Sequence, residues 1–95
     1  MENKYVIVRG DRSGVFFGII IQRNGQEVTL QNVRKIYYWS GAAAVEQLAR
    51  DGVADPGLCK FTVTVAEMVV TDAIQIIPCT AKAINILSGV KEWRI

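Results

Sequence analysis

A short stretch near the middle of the chain combines positive charges, aromatic rings and a helix start. Residues 34–44 read Arg-Lys-Ile-Tyr-Tyr-Trp-Ser-Gly-Ala-Ala-Ala. Cations can pair with phosphate, aromatic rings can stack on a nucleobase, and a helix start offers unpaired backbone N–H groups. The stretch therefore predicts a site for a small anionic nucleotide. The alternative is that Tyr37, Tyr38 and Trp39 are core aromatics at the end of a strand.

The three aromatic residues would supply the stacking surfaces. Trp39 and either Tyr38 or Tyr37 are the candidates for contact with a base. Side chains alternate along a strand, so Tyr37 and Trp39 share one face and Tyr38 takes the other. All three can line one pocket only if the strand twists or ends there.

Cations and helix starts would supply the polar contacts. Arg34 and Lys35 are expected to meet phosphate, although an exposed salt bridge is the competing interpretation for Arg34. Ser40 and Gly41 would offer a hydroxyl and a backbone N–H, and Thr80 begins a second helix, where plain N-capping is the competing interpretation. With Lys60 as a weaker cation, the predicted ligand-binding residues are Arg34, Lys35, Tyr37, Tyr38, Trp39, Ser40, Gly41, Lys60 and Thr80.

The types of residue that are missing restrict the chemistry. The chain has no histidine, so Ser-His-Asp and Cys-His catalysis are excluded. Cys59 and Cys79 are too few for a zinc site within one chain, and they are interpreted as reduced, buried thiols, with a disulfide between them left open. No acidic residues form a pair with recognisable catalytic spacing. We expect a binding protein rather than an enzyme, with no metal and no cofactor.

Length, charge and hydropathy further restrict the class of protein to which the chain can belong. The 95 residues make one domain, residues 1–95, and 51% of them are hydrophobic. The 11 basic and 9 acidic residues give a net charge of only +2, which is too small for a general nucleic-acid coat protein. Nucleic acid is therefore not an expected partner. No apolar run reaches the ~20 residues that a membrane helix needs. The first residues lead straight into a strand, and we expect no secretory signal.

The residue pattern predicts an α+β fold, with a small curved antiparallel sheet of about six strands, an N-terminal meander and two short helices. An Asn-Gly pair at 24–25 predicts a hairpin, and a break in alternation at Asn32–Val33 predicts a bulge that re-aims Arg34 and Lys35. Gly18 predicts a bulge or a close backbone approach. The predicted strands are 4–9, 15–22, 27–38, 59–66, 68–77 (with a possible break at 71–72) and 90–95, and the predicted helices are 41–50, capped by Ser40, and 81–87, capped by Thr80.

The stretch 15–21 (Val-Phe-Phe-Gly-Ile-Ile-Ile) is apolar on both faces of its predicted strand. Both faces must then be covered, either by the rest of the fold or by another subunit. A chain this short also has a modest core, which association would supplement. We therefore expect a homo-oligomer.

Several motifs resemble those of a family of small uncharacterised bacteriophage and prophage proteins. They are an Arg-rich approach to a Tyr-Trp-x-Gly-Ala step (34–42), a Leu-Ala-x-x-Gly helix end (48–52), a Cys-Lys-Phe strand (59–61), an Ile-Pro-Cys-Thr turn (77–80) and the final Trp93. The likeness covers nearly the whole chain. It implies a phage origin and therefore the cytoplasm of an infected bacterial host, but no particular activity.

Phage proteins of this size include nucleotide sponges, which bind the cyclic dinucleotide or cyclic ADP-ribose signals of defence systems such as Thoeris and CBASS. A sponge needs affinity without turnover, so aromatic clamps, cations and backbone donors suffice. We expect an anti-defence protein of this class. The alternatives are a phage accessory or host-takeover protein that docks on another protein, an enzyme that cleaves the signal, and a protein that binds RNA or single-stranded DNA through an aromatic sheet.

Overall fold

The computed structural model describes residues 4–95, and it has the predicted α+β architecture. Six strands form one antiparallel sheet, and two short helices pack on it. A 3₁₀ turn at Pro56–Leu58 lies between the first helix and the fourth strand. The elements are β1 (Lys4–Gly10), β2 (Val15–Asn24), β3 (Glu27–Tyr38), α1 (Val45–Asp51), β4 (Lys60–Phe61), β5 (Val65–Val70), β6 (Ala73–Pro78) and α2 (Ala81–Ser88).

The N-terminal meander is confirmed, because β1 pairs with β2 and β2 with β3. The hairpin turn between β2 and β3 is centred on residues 25–26, one position later than predicted, because Asn24 still pairs with Glu27. Beyond β3 the sheet divides, with β5 beside the first part of that strand and β4 beside its last residues. On the other side, β6 pairs with β1.

Strands β5 and β6 are two parts of one bent strand. β1 and β3 run in the same direction, and β6 and β5 are antiparallel to them, so β5 and β6 also share a direction. Only Thr71 and Asp72 separate them, which confirms the predicted break at this point. The bend carries the chain from the β3 side of the sheet to the β1 side, and the sheet is therefore strongly curved although it stays open.

The predicted bulge in β3 is present. The pairing of β2 with β3 shifts between Phe17 and Ile19, and Asn32 on β3 has a φ of 47°. Gly18 lies opposite this irregularity, and a Cβ on it would stand 2.9 Å from the Cβ of Val33. A larger residue at Gly18 would therefore push the two strands apart.

Hydrophobic cores lie on both faces of the curved sheet. The core under the helices includes Ile7, Phe17, Leu48, Phe61 and Leu87. The core enclosed by the curved sheet includes Val6, Val8, Phe16, Val28, Leu30 and Val70. Both faces of β1 and of the first part of β2 are thus covered within one chain. The apolar stretch 15–21 consequently does not require a second subunit, although Ile21 is exposed.

Three predicted element boundaries were wrong for local reasons. Helix α1 begins at Val45 and not at 41, and its N-cap is Ala44, which makes no side-chain cap, so Ser40 does not cap it. The predicted strand 59–66 is divided into β4 and β5. Residues 90–95 form no strand; they contribute one isolated bridge, between Glu92 and Phe61. Helix α2 with its Thr80 cap is confirmed.

Candidate functional site

An exposed aromatic cluster with a cation beside it lies where β3 ends. The rings of Tyr37 and Trp93 are stacked, with centroids 5.0 Å apart and planes 21° from parallel. The ammonium of Lys60 lies 5.2 Å from the centroid of the Trp93 ring. Tyr37 is 60% exposed and Trp93 48%, so both rings present free surface to solvent. We call Tyr37, Lys60 and Trp93 the aromatic platform.

Backbone pairing holds the three side chains of the platform together. Strand β4 is only Lys60 and Phe61, and it pairs with the end of β3. Phe61 is buried under the helices, so alternation directs Lys60 to the opposite, solvent side of the strand. The N–H of Trp93 donates to the carbonyl of Phe61 at 2.8 Å, and the Glu92 carboxylate accepts from the N–H of Thr64 at 3.0 Å. These two bonds fix the C-terminal segment against β4.

The platform offers a π surface and a positive charge to a ligand. Lys60 is near the ring face, where the quadrupole of an indole attracts a cation. Between Glu92 and Arg94 the nitrogen-to-oxygen distance is 3.9 Å, a loose surface ion pair that leaves both groups solvated. Exposed aromatic rings with a cation beside them are features by which proteins hold bases and phosphates.

Lys35 and Tyr38 flank the platform without joining the stack. The aliphatic part of Lys35 lies against Gly14, and its backbone N–H donates to the Thr62 hydroxyl at 2.9 Å. Tyr38 is exposed and pairs with Lys60 in the β3–β4 ladder. Alternation along β3 puts Lys35 and Tyr37 on one face. The β3–β4 register shifts between Ile36 and Tyr38, and the Tyr38 ring is not part of the stack.

Trp39, Ser40 and Gly41, which were predicted to contact a ligand, instead make contacts within the protein. Trp39 packs against the core under the helices, and its indole N–H donates to the carbonyl of Ala42 at 3.2 Å. The backbone N–H of Ser40 is directed at Sγ of Cys59, 3.4 Å away. Gly41 accepts from the N–H of Ala54 at 3.1 Å. The three residues fasten the β3–α1 connection to the loop before β4, and they present no helix start to a ligand.

Thr80 joins the two helices. Its hydroxyl donates to the carbonyl of Arg50 at the end of α1, 2.6 Å away, and accepts from the N–H of Ala83 at 3.1 Å. Its own N–H donates to the carbonyl of Ala49 at 3.0 Å. The bond from Ala83 is the predicted N-cap, and the bonds to Arg50 and Ala49 tie the start of α2 to the end of α1.

Arg34 is buried on the helix side of β3, away from the platform. Its guanidinium lies 5.0 Å from the centroid of the Phe61 ring, and only 5% of the residue is exposed. Nε donates to the carbonyl of Thr62 at 3.1 Å and Nη1 to that of Leu87 at 3.3 Å. Burial lowers the pKa of Arg34, and the charge of Glu92 acts in the opposite direction. Arg34 and Lys35 therefore cannot act together on one phosphate.

The sequence did not point to Trp93 as a candidate site residue. Trp93 was predicted only as a residue of the last strand, 90–95, and as one of the motifs shared with the phage and prophage proteins. The aromatic type and the nearby Lys91 and Arg94 were visible, but its partner Tyr37 lies far away along the chain, and no local pattern joins the two. Within residues 4–95, no group of three or more His, Cys, Asp or Glu side chains could hold a metal ion.

The fold and the platform together define a small α+β domain with an exposed aromatic surface at one end of its sheet. Comparison with known families matches residues 3–87 to a domain of unknown function, DUF6948, and the chain belongs to that family. Neither the curated proteins nor the solved structures contain a match. In the described part of the chain, no helix is long and apolar enough to cross a membrane.

Proposed function

We propose that this protein binds a small anionic nucleotide at the aromatic platform and holds it without cleaving it. The observation that carries the proposal is the exposed Tyr37–Trp93 stack with the Lys60 ammonium 5.2 Å from the indole centroid. A base would stack on the free aromatic surface, and the ammonium would meet the phosphate. Retention without turnover needs no general base, in keeping with a chain that has no histidine.

The energies of such contacts are sufficient for useful affinity. Stacking contributes ~1–3 kcal/mol per base, and a charge-assisted hydrogen bond about 1.5–3 kcal/mol before ordering costs. One open surface covers a single side of a ligand, whereas effective pockets bury most of it. A homo-oligomer that brings two platforms together would enclose the nucleotide, and it is part of the proposal.

The biological setting follows from the resemblance to phage and prophage proteins. In that setting the nucleotide is a cyclic ADP-ribose or cyclic dinucleotide immune signal, and the protein acts in the cytoplasm of the infected host by removing it stoichiometrically. The second candidate is a docking protein. Leu58 and Tyr38 are both exposed. Leu58 precedes Lys60 by two residues, and Tyr38 pairs with Lys60 in the sheet. This end of the sheet therefore also suits contact with an apolar protein surface.

Thermal unfolding with a panel of cyclic dinucleotides and cyclic ADP-ribose isomers tests the proposal. A ligand present at a hundred times its dissociation constant stabilises the folded state by about 2.7 kcal/mol, which raises the melting temperature by several degrees. Trp93→Ala and Tyr37→Ala should abolish this shift. Tyr38→Ala is the matched control, since it removes an exposed tyrosine ring next along the strand that is not part of the stack.

The state of the nucleotide after incubation separates the candidate functions. Recovery of an intact ligand together with a platform-dependent shift supports sequestration. Cleavage of the ligand would establish an enzyme. No shift with any nucleotide, or a shift that Trp93→Ala leaves unchanged, would overturn the proposed site and favour protein docking.

A further inference from the structure

A cavity lies on the opposite side of β3 from the platform. Its volume is about 240 Å³, whereas one water needs only about 10–15 Å³ of such space. Its walls are polar side chains, two aromatic rings and one buried cation. The lining residues are Tyr5, Phe17, Asn32, Arg34, Thr64 and Ser88.

The cation in this wall has unused hydrogen-bonding capacity. Nε and Nη1 of Arg34 each donate to a backbone carbonyl, of Thr62 and Leu87. Nη2 is buried and has no hydrogen-bond partner among the residues that the structure describes. An unmade hydrogen bond on a buried charged group is costly, and most such groups in folded proteins find a partner.

The charge of Arg34 is also incompletely balanced. Within residues 4–95, no carboxylate oxygen lies within 4.0 Å of the guanidinium; the ion pairs found there are Arg50 with Asp51 and Arg94 with Glu92. The Phe61 ring and the carbonyl of Leu87 near the end of α2 offset part of the charge. Glu92 is near enough to act on Arg34 through its field, and its Oε2 accepts a hydrogen bond from the backbone N–H of Thr64.

We propose that the cavity binds a small oxyanion, a phosphate or carboxylate group, on the guanidinium of Arg34. Because Nε already donates to Thr62, the two hydrogen bonds that arginine can donate to such a group would come from Nη2 and from the second hydrogen of Nη1. Asn32, Thr64 and Ser88 carry the neutral donors that would complete the shell around the remaining oxygens. Because Nη2 is closed off from solvent, the anion reaches it through the cavity as these side chains rotate.

The oxyanion site is independent of the proposed nucleotide platform. Alternation along β3 places Arg34 beside Phe61 and Leu87 in the core under the helices, while Tyr37 is on the other face. The side chains of Arg34, Asn32 and Ser88 line the cavity only, and the Trp93 ring belongs to the platform only, so these positions test one site at a time. The two proposals can fail separately.

Titration of the full chain with inorganic phosphate, followed by calorimetry and ³¹P NMR, tests the proposal, with glycerol 3-phosphate and acetate as further probes. We expect saturable binding that Arg34→Gln weakens by roughly tenfold or more, because it removes the charge-assisted bonds. Arg23→Gln is the matched control, because Arg23 is an exposed arginine on β2 and the substitution removes the same charge. Tighter binding of glycerol 3-phosphate than of phosphate would assign the site to a phosphate ester, and the reverse to the free ion.

A double variant keeps the test decisive if Arg34→Gln does not fold. Ser88→Ala removes an exposed hydroxyl, and Asn32→Gly removes the amide while keeping the positive φ of 47° accessible. This pair should also weaken phosphate binding, and Trp93→Ala should leave it unchanged. Absence of saturable binding in the native protein, or equal loss in Arg23→Gln, would overturn the proposal.

Discussion

Tyr37 on β3 and Trp93 near the end of the chain stack on each other with their ring centroids 5.0 Å apart. Neither ring is buried, so the pair is held mainly by the backbone bond from Trp93 to Phe61 and by the β3–β4 ladder. The stack is therefore a preformed surface, so the binding proposed above would not require its rings to become ordered first.

A double-mutant cycle measures how strongly the two rings interact. We expect Tyr37→Ala and Trp93→Ala to show a coupling of about 0.5–1.5 kcal/mol in the free energy of unfolding, the usual range for an aromatic pair. Urea denaturation of the native protein, both single variants and the double variant gives this value. Strict additivity of the two single effects would show that the rings are stacked without stabilising each other.

Gly41 cannot accept a side chain. Its φ is +93°, and a Cβ would stand 2.5 Å from the nitrogen of Ala54 and 2.7 Å from that of Asp55. Both neighbours are backbone atoms and cannot rotate away, so Gly41→Ala should lower the free energy of unfolding by roughly 2–3 kcal/mol. Gly57→Ala is the control, since a Cβ on Gly57 would meet no atom within 4 Å. Equal urea midpoints for the two variants would refute this account.

The hydroxyl of Thr80 should stabilise the junction of the helices. Thr80→Val keeps the shape of the side chain but removes the bonds to Arg50 and Ala83, so we expect a loss of about 1–2 kcal/mol in the free energy of unfolding. Thr80→Ser retains the hydroxyl and should stay within a few tenths of a kcal/mol of the native protein. If serine were as damaging as valine, packing of the methyl group would be the important contact.

Asp72 should make stability depend on acid pH. The Ser13 hydroxyl and then the backbone N–H of Arg12 lower the pKa of Asp72 from its ordinary 3.8. A carboxyl with a lowered folded-state pKa adds stability above its unfolded-state pKa, and this contribution is lost as pH falls through the folded-state value. Asp72→Asn should therefore be less stable than the native protein at pH 7, with the difference shrinking below about pH 5.

Urea unfolding from pH 7 to pH 2 checks the Asp72 prediction. The control is Asp11→Asn, which changes an exposed carboxylate in the same turn region. A difference between native protein and Asp72→Asn that stays constant across this range would contradict the electrostatic explanation.

Cys79 should be a poorly reactive thiol in the folded protein. Burial raises the pKa of Cys79 to about 12, so almost no thiolate, the reactive form, is present at pH 8. In a Cys59→Ser variant, which leaves Cys79 as the single thiol, alkylation by iodoacetamide should be much slower when folded than in urea. Mass spectrometry of the modified peptide gives both rates. Equal rates in the two states would show that Cys79 is accessible and ionised.

The correct sequence predictions depend on near neighbours in the chain. The bulge at Asn32 appears as a break in alternation, and the cap at Thr80 follows from a hydroxyl in front of a short helical pattern. The errors have the same origin. Ser40 has the residue type of an N-cap, but its loop is bound to Cys59 and the loop before β4, and this long-range contact delays the start of α1.

By itself, the sequence determined the α+β class, the meander, the break between β5 and β6, and the absence of imidazole chemistry, since all of these follow from residue types and local spacing. Only the tertiary structure decided which predicted site residues meet. Folding paired Tyr37 with Trp93 and Lys60, and it buried Arg34 beneath Phe61 on the opposite face. These relations depend on which strands pair and how the sheet curves, and residue spacing along the chain carries little information about contacts between distant segments.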